Sequence, residues 1–302
     1  VCLVCSHCSG QDFCDCIAPA GFCVRQELFN NGGKAKPMRS ILQCRVAQVI
    51  RFSDTILLIR VEVPPPIRDD LQTPGRFVFV RTDENHFFDV PMSVLFTEID
   101  VNTIGFIVDA KGVKTAPFAG LKSGDWIFMR GPYYNAILGL HSVAYQHDGK
   151  ALVLARGIGF LPSLGVIDAL RKQNNQVIIY LDPAQFDLKL LIFFQNFFEI
   201  ETRPCQLAEP DGLSDEGKQI IHTALADGVN LIHLGISDYL IMSTVKHLKH
   251  LNRTDVPLST CNNAKMCCGE GICGACTVNT VHHTHHLCKE QVNPYNYFGR
   301  MP

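Results

Sequence analysis

The residues with the clearest chemistry lie near the C-terminus, in the run CCGEGICGACTVNTVHHTHHLC. Cys268 is followed after four residues by Cys273, after two more by Cys276 and after eleven more by Cys288. This C-x4-C-x2-C…C spacing is one by which four thiolates hold a 2Fe–2S cluster. Gly269, Gly271 and Gly274 interleave with the cysteines. Glycine lets the backbone curl through positive φ, so that amide N–H groups turn inward on sulfur. A zinc site, the competing reading, would show two C-x2-C knuckles or paired Cys and His. This run has one such knuckle, Cys273 with Cys276. Cys261 and Cys267 fall outside the motif and read as free thiols packed beside it. His282, His283, His285 and His286 lack the Cys-x-His arrangement that would place two imidazoles on one iron, and read as a solvated or partner-facing loop.

A second group of thiols opens the chain. Cys2, Cys5 and Cys8 form C-x2-C-x2-C, the first part of a bacterial ferredoxin motif. The fourth cysteine of that motif would fall at Asp12, and the next thiol is Cys14, followed by Cys16, Cys23 and Cys44. Seven thiols in a segment too polar to build a core call for a metal in a reducing cytoplasm. An additional Fe–S cluster on Cys2, Cys5, Cys8 and Cys14 is the first reading; zinc, and unpaired or partner-bridging thiols, are the alternatives.

Between these ends three short stretches could carry a cofactor. FDVPMSV places Pro91 and Ser93 near a strand end, where a flavin ring could rest against backbone and a hydroxyl could bond its polar edge. AKGVKTAPF offers Gly112, Lys114 and Thr115 to a pyrophosphate at a helix start. ARGIGFLPSL follows a strand and precedes a helix, with Gly157 and Gly159 where a phosphate or nicotinamide could approach the backbone. It falls short of G-x-G-x-x-G because Pro162 holds the third glycine position. Taken alone, an ordinary strand and turn explain the first two stretches better than a ligand does, and a tight strand-to-helix turn explains the third equally well.

The elements that must position these residues follow from the chain's rhythm. Its 302 residues suggest about two domains. Of the 14 cysteines, only Cys205 lies between Cys44 and Cys261, which argues against a disulfide scaffold spread through the fold. Residues 44–145 alternate short β-rich runs such as TILLIRVEV, RFVFVRT and TIGFIVDA with turn signals PPP, TPG, KSGD and GP, the pattern of an antiparallel β-barrel. Residues 146–260 alternate apolar strands with helical stretches, the pattern of a parallel-sheet α/β domain. Residues 1–43 and 261–302 form cysteine-rich segments at either end, so the whole is an α+β multidomain chain. With 27 basic and 29 acidic side chains there is no electrostatic case for nucleic acid or an acidic membrane. No apolar run is long enough to span a bilayer. The N-terminus has no basic stretch followed by an apolar one, so no secretory signal is expected. The chain opens at Val1, as expected of a piece of a longer product.

Taken together and in this order, the motifs resemble the electron-transfer subunit of class 1B dihydroorotate dehydrogenase and sulfide dehydrogenase-like flavoproteins, within the ferredoxin reductase superfamily. The resemblance covers residues 44–288. It rests on TPGRFV at 73–78, VPMSV at 90–94, GVKT at 112–115, GPYYNAILG at 131–139, RGIGFLP at 156–162 and the cysteine loop. It implies a barrel binding FAD, a nucleotide-binding α/β domain, and a 2Fe–2S cluster facing a catalytic partner subunit in the cytoplasm. It further implies that Pro91, Met92, Ser93 and Val94 line the isoalloxazine, that Gly112, Lys114 and Thr115 hold the pyrophosphate, and that Cys268, Cys273, Cys276 and Cys288 hold the cluster. Two departures stand out. Val90 replaces the usual Arg of the flavin motif, and Arg156 replaces the Gly that opens the nucleotide turn, where its side chain either binds a phosphate or blocks the nicotinamide, leaving NAD(P) binding open.

Overall fold

The computed structural model describes Gly32, Gly33 and residues 41–86, 88–279 and 284–299. The expected N-terminal metal site at Cys2, Cys5, Cys8 and Cys14 lies outside the described residues, as do His282 and His283. The chain divides into two compact units. One holds the described residues up to Gln72, with residues 76–136 and 264–292; the other holds residues 73–75, 137–263 and 293–299. Two boundaries differ from the sequence-based division. Residues 264–292, which carry the cysteine motif, fold onto the first unit, and residues 137–145 belong to the second.

The first unit is built on seven strands: β1 (Ile41–Arg51), β2 (Ile56–Glu62), β3 (Phe77–Arg81), β4 (Val90–Ser93), β5 (Phe96–Glu98), β6 (Thr103–Asp109) and β7 (Trp126–Tyr133). They form one antiparallel sheet in the order β4-β3-β7-β1-β2-β6-β5. Register shifts in β1 between Val46 and Gln48, and against β7 between Phe77 and Phe79, add twist. The sheet therefore curls, and Val46, Ile59, Val78, Met92, Phe106, Ile127 and Met129 meet in one core. Each such buried side chain contributes about 1.5–3 kcal/mol. The edge strands β4 and β5 are not paired with each other, so the expected barrel is a half-barrel.

The second unit carries β8 (Ile137–Leu138), β9 (Lys150–Arg156), β10 (Gln176–Asp182), β11 (Arg203–Pro204), a small hairpin of β12 (Ala208–Glu209) and β13 (Gly212–Leu213), β14 (Leu231–Gly235) and β15 (Leu258–Cys261). Its main sheet runs β11-β10-β9-β14-β15-β8, parallel except for β8. Strands β9 and β14 read as nearly unbroken apolar runs and are buried on both faces. Helix Phe160–Lys172 tolerates Pro162 in its first turn, where an N–H has no intrahelical partner. Helix Asp215–Ala226 starts on Ser214, whose hydroxyl accepts from the Gly217 N–H. The strand order reverses between β9 and β14, and ligands in open α/β sheets bind outside the carboxyl ends of strands at such a switch.

Candidate redox site

The cysteine loop bends where the sequence places its glycines: Gly269, Gly271 and Gly274 have φ of 71°, 70° and 75°. Those left-handed residues turn the intervening amides onto sulfur. Cys268 Sγ accepts from the N–H groups of Glu270 at 3.3 Å, Ile272 at 3.5 Å and Cys273 at 3.5 Å. Cys288 Sγ accepts from Gly271 N–H at 3.2 Å, and Cys276 Sγ from Cys288 N–H at 3.4 Å. Partial burial alone would raise the Cys268 thiol, yet the three amides outweigh it and bring it down to about 7. Cys276 falls to about 6, chiefly through its hydrogen bond with the Cys288 thiol, while Cys288 is raised by the same bond. Cys273 is raised, first by desolvation.

The thiols meet two by two, Cys268 with Cys273 and Cys276 with Cys288. Among the described residues no three or more His, Cys, Asp and Glu side chains stand ready around one metal ion. Two neighbouring thiol pairs suit a two-iron cluster with two cysteines per iron. Cys276 and Cys288 are buried, whereas Cys273 is exposed. Cys267 is exposed, and Cys261 is buried in β15, in the second unit. His285 and His286 are not a solvated loop: Glu290 Oε2 lies 2.9 Å from His285 Nδ1, and Oε1 accepts from the His286 backbone N–H at 2.7 Å.

Aromatic side chains from the half-barrel back this loop. Phe77, Phe79 and Tyr133 are buried and pack together, with ring centroids 5.0–5.5 Å apart. A Cβ on Gly269 would lie 2.5 Å from the Tyr133 ring and 2.9 Å from that of Phe79, so glycine is needed for space as well as for φ. Arg130 donates to the Cys268 carbonyl at 2.9 Å and to the Tyr133 hydroxyl, and pairs with Asp89 at 3.0 Å. Asn135 Nδ2 donates to the carbonyls of Leu287 and Glu290, each at 2.6 Å, and its Oδ1 accepts from Gln291. These anchors sit on both sides of Cys288 and Cys268. Sequence reading assigned no role to Asp89, Arg130, Tyr133 or Asn135; the available signal was polar Asn135 within the GPYYNAILG motif.

On β4, Pro91 and Ser93 pair with Phe79 and Phe77, which places them on the face opposite the core. Met92 sends its side chain into the core with Val90, so only its backbone is free for a ligand. Val94 is partly buried and packs on the same core. The Gly112 turn is tied by Thr115, whose N–H donates to the Gly112 carbonyl at 2.9 Å while its hydroxyl accepts from the Gly112 N–H at 3.1 Å. The helix start expected after it is a five-residue 3-10 segment, Ala116–Gly120. Lys114 Nζ lies 4.6 Å from the Phe88 ring centroid, which brings this turn beside the segment feeding β4. A cation with an unpaired donor stands just before β3. The Arg76 guanidinium lies 3.9 Å from the Tyr134 ring centroid, its Nε is buried without a hydrogen-bond partner, and desolvation lowers its pKa. Its carbonyl accepts from Val94 N–H at 3.2 Å. An orphaned guanidinium donor just before β3, the strand that pairs with the exposed Pro91 and half-buried Ser93, fits an anionic, ring-bearing cofactor such as a flavin nucleotide.

In the second unit the Gly157–Gly159 turn lies at the carboxyl end of β9, at the strand-order switch. The two glycines differ in purpose. Gly157 has φ 54° and the nearest neighbour to its would-be Cβ is Ala184 Cβ at 3.8 Å, so space above it is open. A Cβ on Gly159 would lie 2.1 Å from the Gly235 carbonyl oxygen, so that glycine serves the approach of two backbones. Beneath the turn, His233 is fully buried, with Nδ1 2.9 Å from Ser259 Oγ and Nε2 3.1 Å from Ser163 Oγ. Ser163 donates to the Gly159 carbonyl at 2.8 Å. Burial pushes the His233 pKa down to about 3. At the mouth, Arg156 Nε donates to Asp182 Oδ2 at 2.9 Å, and Asp182 also accepts from Leu207 N–H and Ala184 N–H, both at 2.9 Å.

A curled antiparallel sheet with a parallel α/β partner is the architecture of the ferredoxin reductase-like flavoproteins. The structure of an NADH-dependent reduced ferredoxin–NADP oxidoreductase superposes with a TM-score of 0.66 at 16% identity, covering 86% of this chain and 91% of the other. A ferredoxin NADP+ reductase from Neisseria gonorrhoeae, solved with bound FAD and NADP, gives 0.52 at 18% identity, covering 73% and 97%. The chain matches no family profile. It is similar to the electron transfer subunit of dihydroorotate dehydrogenase B (NAD(+)) from Desulforamulus reducens, 22% identical over 250 residues, 82% of this chain and 91% of that protein. The corresponding subunit from Streptococcus mutans is 27% identical over 217 residues, 68% and 76%.

Proposed function

We propose that this chain is the electron-transfer flavoprotein subunit of an oxidoreductase complex of the dihydroorotate dehydrogenase B kind, holding FAD on the half-barrel and a 2Fe–2S cluster on the cysteine loop. The observation that carries this reading is the seating of four thiols, two by two, on the aromatic backing of the strands that present Pro91 and Ser93. When bound, FAD supplies hydride acceptance and single-electron release to iron. The chain's own residues position and insulate. Pro91, Ser93 and the backbone of Met92 and Val94 seat the ring, Gly112, Lys114 and Thr115 the pyrophosphate, and Cys268, Cys273, Cys276 and Cys288 the irons. Amides of the loop stabilise thiolate charge, and Phe77, Phe79 and Tyr133 exclude water from the inner side. No acid or base is required of the protein.

The route by which electrons enter has two readings. Nicotinamide would arrive over Gly157 at the switch point. The Arg156–Asp182 pair at the carboxyl ends of β9 and β10 favours the second, a relay from another cluster, because it sets a large, engaged side chain where relatives of the resembled family carry Gly. A further Fe–S cluster on Cys2, Cys5, Cys8 and Cys14 would supply that relay; zinc there, having no redox couple, would not. All described cysteines are free, in keeping with a reducing, cytoplasmic setting. Among the described residues no helix is long and apolar enough to cross a membrane.

Anaerobic purification with flavin, iron, acid-labile sulfide and zinc quantified tests the proposal, followed by absorption and EPR spectra after NADH, NADPH or dithionite. Flavin with a 2Fe–2S signal is expected; zinc in place of iron and no flavin overturns it. Bleaching by dithionite but by neither nicotinamide selects the relay. Iron in excess of one 2Fe–2S cluster assigns the N-terminal thiols.

A further inference from the structure

Arg130 joins two segments 41 and 138 residues away in the chain. It lies on β7 across from Phe79, and its guanidinium sits 4.7 Å from that ring's centroid. Nε and Nη2 both hold Asp89 Oδ2, at 3.2 and 3.0 Å, while Nη1 donates to the Cys268 carbonyl at 2.9 Å. Asp89 immediately precedes β4, and it also faces Arg81 at 3.7 Å. The Arg130 and Asp89 side chains are only 21% and 20% exposed, so solvent and salt screen them weakly. A planar fork can hold a carboxylate and a carbonyl at once, which a single ammonium does poorly.

The geometry points to Arg130 as a positioning residue that sets the reduction potential of the cluster on the cysteine loop, with Asp89 as the opposing charge. The inference rests on the function proposed above and adds to it a named pair that tunes the site. One-electron reduction adds one negative charge at the loop, with no bond formed or broken and no proton taken up. A cation bonded to the carbonyl of a ligand cysteine favours that added charge, and a carboxylate behind it opposes it. The neighbouring Lys289–Glu270 pair, 3.2 Å apart, carries no net charge and does not set the sign. The loop amides on Cys268 act in the same sense as Arg130, but only the side chains can be exchanged one charge at a time.

The test uses full-length, anaerobically purified protein with its flavin and iron content measured, and an EPR-monitored potentiometric titration. In Arg130→Gln the equilibrium constant for cluster reduction is expected to fall at least tenfold, about 59 mV for a one-electron couple. Asp89→Asn is expected to move the potential upward. Arg130→Lys, which keeps the charge, is expected to stay nearer the wild type while retaining less iron. General loosening of the loop would move the first two variants in the same direction; that result, or potentials unchanged in both, overturns the inference. Should Arg130→Gln lose its cluster, Asp89→Asn alone decides, because it keeps the bond to Cys268, and an unchanged or lowered potential there overturns the inference. A wild-type chain with flavin and no 2Fe–2S signal overturns the proposed function and the inference with it. A wild-type chain with both, and variants without opposite shifts, overturns the inference alone.

Discussion

His233 makes the second unit sensitive to acid in a way that can be computed from its surroundings. The ring is fully buried between Ser163 and Ser259, and its pKa is pushed from 6.5 to about 3. A chain of donors explains why it is neutral: Ser163 gives its proton to the Gly159 carbonyl, so its Oγ accepts from Nε2–H, and Nδ1 accepts from Ser259. The unfolded chain takes up a proton below pH 6.5, whereas the folded one does so only near 3. This histidine's contribution is therefore complete above pH 6.5 and lost as the pH falls toward 3, at about 1.4 kcal/mol per pH unit. Between pH 7 and pH 5 the loss amounts to about 2 kcal/mol. Carboxylates titrate mostly below this window. Hydrogen exchange of β14 and β15 amides at pH 7 and 5, in the wild type and in His233→Gln, reports on this unit by itself. The variant is expected to be less stable at pH 7 but flatter with pH by about 2 kcal/mol. Equal pH dependence in the two proteins refutes the buried neutral imidazole.

Three further outcomes are expected. Cys273→Ser should abolish the 2Fe–2S EPR signal while FAD remains bound, since Cys273 is exposed and contributes nothing to the barrel core; an unchanged spectrum removes it from the ligand set. Arg156→Gly should strengthen NADH binding at least tenfold by calorimetry while costing about 1–3 kcal/mol of stability, because the buried Asp182 loses its cation, and unchanged binding shows that Arg156 does not guard the turn. Gly159→Ala should cost about 3 kcal/mol or more in urea denaturation because its Cβ meets the Gly235 carbonyl at 2.1 Å, whereas Gly157→Ala, with open space and only a left-handed φ, should cost about 1–2 kcal/mol; equal costs would contradict the different purposes assigned to the two glycines.

What could be read from the sequence was what is local in it. The spacing from Cys268 to Cys288 and the three glycines between them foretold a loop that aims amides at sulfur, because ligand spacing and positive φ are properties of a short stretch of chain. Strand periodicity likewise revealed a β region followed by an α/β region. The sheet's failure to close was not visible, since closure depends on whether β4 meets β5 and no pattern within either strand records its neighbour. Nor did the motif VPMSV reveal that Met92 belongs to the core: its side follows from pairing with Val78, which register alone determines. That His285 and His286 are tethered and not freely solvated was hidden for the same reason, because Glu290, five and four residues further on, meets them only in the fold.

The residues that hold the loop were the least legible of all. Arg130 reaches Cys268 across 138 residues and Asn135 reaches Leu287 across 152, so nothing near either one announces a partner. Both are nonetheless polar groups with a demanding inventory of hydrogen bonds, placed within three residues of the buried Tyr133 in sequence. A polar side chain confined beside a buried aromatic must find partners or destabilise the fold. The cysteine loop supplies them through its backbone carbonyls, and the thiols are left free to face one another. Separating the groups that fasten the loop from the groups that ligate is what lets Arg130 and Asp89 be varied without replacing a thiol, and it is why opposite shifts from those two variants would identify charge, and not packing, as the quantity this site controls.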